Sequence, residues 1–121
     1  MADGGQGTGA GIHLIKLSVG TESVADLAAW QKTPAAQFNP GQGDTRPVHV
    51  TRMWPRRAEE LLEGGSIYWV IRGMIAARQR IMGLERVTDA EGVRRCAILL
   101  DPDLVPVAAR PRKAFQGWRY L

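Results

Sequence analysis

From Ile12 to Val19 the chain reads I-H-L-I-K-L-S-V, with His13, Lys16 and Ser18 as the polar members of an alternating run. That alternation predicts a strand, which Gly20 ends. Thr21 or Ser23 then offers a side-chain oxygen to a backbone N–H, and Val24, Leu27, Ala28 and Gln31 form one helical stripe with Trp30 at its edge. A short helix over about residues 22–32 follows. Alternation returns from Val48 to Trp54, with Val48, Val50 and Arg52 on one face and His49, Thr51 and Met53 on the other. Pro55 sits where a helix starts, and P-R-R-A-E-E-L-L-E-G-G predicts a compact helix with Ala58, Leu61 and Leu62 inward, stopped by Gly64 or Gly65. Ser66 to Arg72, S-I-Y-W-V-I-R, is the most apolar run. Its β-branched and aromatic residues predict a central strand, since a membrane span needs about 20 apolar residues. Gly73 bends the chain, a strand covers roughly residues 78–87, D-A-E-G at 89–92 is a hairpin turn, and Val93 to Leu100 pairs back until Asp101-Pro102 ends it.

The remaining segments lack a period. Residues 1–11 hold five glycines and no large apolar side chain beyond Met1, which predicts a flexible tail. The Gly7, Gly9, Gly11 spacing has no strand before it and a strand after it, the reverse of a dinucleotide loop. Residues 33–47 contain Pro34, Pro40, Gly41, Gly43 and Pro47 around Phe38 and predict a flexible loop. The closing A-F-Q-G-W-R-Y-L is aromatic enough to dock on the core. No internal repeat is visible. The expected architecture is a single α+β domain over residues 12–121, with five to six mostly antiparallel strands forming a twisted sheet or small barrel and two short helices.

Length and composition bound this picture. A chain of 121 residues, 45% hydrophobic and 23% charged, supports one core. Its single cysteine, Cys96, excludes an internal disulfide and a thiolate-rich metal site, and points to a reducing cytoplasm. No secretory signal opens the chain, and no cofactor, metal or membrane contact is expected. The net charge is +4, carried by 13 Arg and 3 Lys. Residues 1–45 hold two basic groups against four acidic ones, whereas residues 46–121 hold fourteen against eight, so any electrostatic footprint lies in the later part. Arg56 and Arg57 at the start of their helix and Glu63 at its end oppose the helix dipole.

Guanidinium groups bind phosphates through paired hydrogen bonds, and aromatic rings stack on unpaired bases. That chemistry selects Arg52, Trp54, Arg56, Arg57 and Tyr68, together with Arg72, Arg78, Arg80, Trp118 and Arg119, as ligand-binding candidates. Alternation puts Arg78 and Arg80 on one strand face and Gln79 with Ile81 on the other, while Arg72 is within reach of a cross-strand pair with Glu85. The expected function is a binding module for RNA, single-stranded nucleic acid or a nucleotide. The alternative is an interaction or assembly subunit that binds an acidic protein partner without catalysis. Enzyme readings are weaker: His13, His49 and Cys96 have no supporting spacing, and no G-x-S-x-G, H-E-x-x-H or P-loop occurs. Glu59 and Glu63 share a face of a short helix, where solubility and pairing with Arg56 account for them.

Three blocks carry a resemblance: the string from His49 through R-M-W-P-R-R, G-G-S-I-Y-W-V-I-R-G-M-I-A-A-R-Q-R-I at residues 64–81, and the closing R-P-R-K-A-F-Q-G-W-R-Y-L. Together they resemble an uncharacterised family of small alphaproteobacterial proteins, a domain of unknown function, over nearly all of residues 12–121. Residues 33–47 are shorter and less charged than the corresponding linker of that family. A helix ending in Gly-Gly, an aromatic strand, I-M-G-L-E-R-V and its hairpin partner are similar to the PUA-like group, which includes the ASCH and EVE domains. That second resemblance implies a small β-barrel that binds RNA or modified bases, with a cleft where Arg52, Trp54, Arg57, Tyr68 and Trp69 cluster.

Overall fold

The computed structural model describes residues 12–112 and 118–121. Within them the alternating runs form seven strands: β1 (Leu14–Leu17), β2 (Gln37–Asn39), β3 (Asp44–Thr51), β4 (Ser66–Ile71), β5 (Met74–Thr88), β6 (Arg94–Pro111) and β7 (Trp118–Tyr120). The helices are α1 (Val24–Gln31) and α2 (Ala58–Leu62). Ser23 caps α1 by accepting the Asp26 N–H at 3.0 Å. In α2 only Leu61 turns fully inward; Leu62 is exposed, and Pro55 is buried ahead of the helix instead of opening it. Gly64 takes a positive φ, and the N–H of Gly65 closes the turn on the Leu61 carbonyl at 2.7 Å. None of these helices is long and apolar enough to cross a membrane.

The strands form one sheet in the order β2-β3-β6-β5-β4-β1-β7. This corrects the expected architecture. There are seven strands, not five or six; the sheet is mixed, because β1 runs parallel to β4; and it is open, so it is not the PUA-like barrel. Closure would require a ladder between the edge strands β2 and β7, which lie at opposite ends of the sheet and have three residues each. Such short strands are too brief to register as a period.

Two further expectations change for physical reasons. Residues 33–47, read as a structureless loop, hold two 3-10 turns (Pro34–Ala36 and Pro40–Gln42), β2 and the start of β3. Asp101-Pro102 does not end the strand. Ile81 faces Leu100 and Gln79 faces Leu104, so Asp101, Pro102 and Asp103 are accommodated as a bulge and β6 continues to Pro111. β3 pairs only with Cys96–Leu99, so beyond that point one side of β6 is an edge, where a proline without an N–H is tolerated.

One face of the sheet holds the core: Leu14, Ile67, Trp69, Ile81, Ile98 and Leu100 pack with Leu27 of α1 and Leu61 of α2. Beneath α1 this core contains a closed polar network. Gln79 Oε1 accepts from Gln31 Nε2 at 2.9 Å and Trp69 Nε1 at 3.1 Å, and its amide donates to Gln31 Oε1 and the Asp101 carbonyl. The sheet curls strongly around this face. β3 and β4 are three strand spacings apart, about 14 Å in a flat sheet, yet the rings of His49 and Trp69 meet edge to face at 5.4 Å.

Candidate functional site

The ten candidate residues fall in four places. Arg52, Trp54, Arg56 and Arg57 occupy the corner between β3 and α2. There Trp54 packs against the core beneath Arg86, whose guanidinium lies 4.5 Å from the ring centroid. Both sides of the Arg57 fork are taken by Glu60, at 2.8 Å each, which holds the Glu60 carboxyl below its usual range. The Arg57 backbone N–H donates to the Tyr120 hydroxyl at 3.0 Å. Arg72 sits at the β4–β5 turn with φ +52° and pairs with Glu22 at 3.6 Å, not with Glu85. Trp118 packs on the core edge-on to Tyr120.

The other four meet on one surface. On the face opposite the core, pairing aligns Arg119 of β7 with Ile15 of β1, Ile15 with Tyr68 of β4, and Tyr68 with Arg78 of β5, Ile15 itself being fully buried. Arg80 stands two residues along β5, opposite Ser66. All three arginines are exposed, and among the described residues Arg78 and Arg80 make no ion pair. Their nearest carboxylates along the ladder are Asp101 and Asp103 in the β6 bulge and Glu85 farther down β5. Tyr68 is half-buried, with the His13 ring against it at 5.4 Å and 83°, and the Nδ1 of that imidazole accepts the Ser66 N–H. Trp69, expected beside Tyr68, points to the opposite face because neighbours on a strand alternate.

A cleft between α1 and the curled sheet was not read from the sequence. It encloses about 710 Å³ and holds none of the ten candidates. Lys16, His49, Trp69 and Leu100 line its sheet side and Leu27 and Trp30 its helix side. Lys16 forms no ion pair among the described residues, and burial lowers its pKa. Desolvation, assisted by the nearby Lys16 charge, lowers the His49 pKa to about 4, and its Nε2 is buried without a hydrogen-bond partner. The signal that locates Lys16 is L-I-K-L: a strand apolar on both sides of its lysine is buried on both faces.

A family model described as "Protein of unknown function (DUF1489)" matches residues 14–121. The chain belongs to this family. No curated protein and no solved structure matches the chain. The DUF1489 match runs from the first residue of β1 to the end of the chain, so the arginine face and the cleft both lie inside the family's own domain. Cys96 is buried in that domain's core with its thiol pushed up to about 11, the state of an inert packing residue. Among the described residues, no group of three or more His, Cys, Asp or Glu is placed to hold a metal ion.

Proposed function

We propose that this DUF1489 domain binds single-stranded nucleic acid along the arginine-bearing side of its sheet. The observation that supports this reading is the cross-strand pair of Tyr68 and the exposed Arg78, with Arg80 beside it and the exposed Arg119 beyond the buried Ile15. Arginine forks grip phosphate oxygens in pairs, and a tyrosine between them offers a ring for an unstacked base. His13 against Tyr68 limits the ring's freedom, so less order is lost on binding. The excess of basic groups after residue 45 agrees with this placement.

The test is fluorescence anisotropy of a labelled single-stranded oligonucleotide over a range of salt. Three phosphate contacts predict a log–log salt slope of about −2 for a single strand. Arg78→Ala with Arg80→Ala should bring the slope to about −0.7, and Tyr68→Ala should weaken binding by about 1–3 kcal/mol. An unchanged slope in the double variant refutes the assignment. Equal binding of polyglutamate would move the reading to an acidic protein partner.

A further inference from the structure

We propose that the cleft under α1 is a second, separate binding site for a small monoanion with an apolar body, a carboxylate on an aromatic or branched aliphatic skeleton held at its charged end by Lys16. A cavity of about 710 Å³ has the size of a small-molecule site. Its chemistry is unbalanced in one direction. Lys16 presents a half-buried ammonium with neither hydrogen bond nor counter-ion among the described residues, and a desolvated charge is costly until an opposite charge meets it.

The same wall limits the ligand to one negative charge. The carboxylate on the cleft wall is Asp26, and its Oδ2 is engaged by the Glu22 N–H at 3.0 Å across the start of α1. A dianion would therefore meet one ammonium and one like charge. His49 does not change that count, because burial keeps its ring neutral near pH 7. The neutral ring contributes a buried Nε2 that has no partner in the protein. At the mouth the Ser18 and Thr21 hydroxyls, 2.7 Å apart, add a small polar point.

Apart from Gln31 the rest of the lining is apolar, and at the mouth it is open to solvent. Val19, Trp30 and Val50, exposed at 81%, 51% and 46%, all border the cleft. Large apolar side chains gathered around a concave surface mark a ligand groove more often than a bare surface. An apolar mouth over a single half-buried cation fits an amphipathic carboxylate better than a sugar phosphate.

The experiment titrates the full chain, labelled with nitrogen-15, with 1-naphthoate, its neutral counterpart 1-naphthamide, and the dianion 1-naphthyl phosphate. Naphthoate should shift the indole N–H signals of Trp30 and Trp69 and bind at least about tenfold more tightly than the other two, roughly the worth of one charge-assisted contact. Lys16→Met should erase the preference for naphthoate over naphthamide and leave oligonucleotide binding on the opposite face intact. Trp30→Ala, at an exposed position, should weaken naphthoate without unfolding the domain and serves if Lys16→Met does not fold. The proposal is overturned by equal binding of naphthoate and naphthamide, by tighter binding of the phosphate, by a preference that survives Lys16→Met, or by absence of any shift at cleft residues at millimolar probe.

Discussion

The buried imidazole of His49 makes the domain's stability depend on pH in a window where few other groups titrate. Its folded pKa is about 4, lowered first by desolvation and then by Lys16, whereas an unfolded histidine titrates near about 6.5. Between those values the unfolded chain binds the proton and the folded chain does not. Stability therefore rises with pH across the window and is lost as pH falls from about 6.5 toward about 4. Integrating the linkage, this one group removes about 2 kcal/mol between about pH 7 and pH 5, and about 3 kcal/mol by pH 3. The Lys16 ammonium and the Trp69 ring are the groups that face it. The assay is urea unfolding of the wild type and of His49→Phe at several pH values between 5 and 7. His13 is common to both proteins and drops out of the difference. The variant should lose about 2 kcal/mol less than the wild type on going from pH 7 to pH 5. Parallel stability profiles would refute the argument, since they would mean that His49 accepts its proton in the fold as easily as in the unfolded chain.

Three other perturbations follow from the packing. A methyl group added at Gly65 would lie 2.7 Å from the Ile12 carbonyl oxygen and closer still to that of Leu61, so Gly65→Ala should cost about 3 kcal/mol by chemical denaturation. Gln79→Leu removes partners from Gln31, Trp69 Nε1 and the Asp101 carbonyl at once. It should cost about 3 kcal/mol, and adding Gln31→Leu should cost less than the sum of the single changes, a coupling that a double-mutant cycle measures. Cys96, buried and with its thiol pushed up to about 11, should resist a thiol reagent near pH 8 in the folded protein and react fully in guanidinium; rapid native labelling would contradict its placement.

Local signals in the sequence translate directly into structure here. Ser23, Gly64 and the turn at residues 89–92 act within a few residues of themselves and appear where their chemistry requires. What could not be read depends on distant partners. β7 exists because Trp118 to Tyr120 pairs with β1, and β1 lies beside β4 in parallel because the chain crosses over between them. β6 passes two prolines because β3 leaves its outer side unpaired there. The site follows the same division. Alternation along β5 is enough to put Arg78 and Arg80 together, but only the register adds Tyr68 and Arg119 to their row. Alternation alone makes Lys16 solvent-facing and only its apolar neighbours on both sides say otherwise; it shares its face with Leu14, and the helix that covers that face is a tertiary fact.

The arginine face and the cleft are coupled by an irregularity in β5. Ile81 faces Leu100 and Gly83 faces Leu99, so β5 carries one extra residue, Met82, between consecutive partners on β6. Before it, the core face takes the odd positions Gln79 and Ile81; after it, the even position Leu84 packs inward. An uninterrupted strand would turn Leu84 outward and Glu85 into the core. The exposed Met82 thus keeps the apolar side chains inward on both sides of the bulge. A bulge also bends its strand and increases its twist, and β5 is interrupted near Ala77 and Arg80 as well. These bends act together to curl the sheet until His49 of β3 reaches Trp69 of β4, which walls the cleft. On the outer surface of the same strand, the alternation that turns Gln79 toward Trp69 turns Arg78 and Arg80 away from it. The geometry that closes a pocket around Lys16 on one side therefore displays a row of guanidinium groups on the other, and neither can be rebuilt without disturbing the register that makes both.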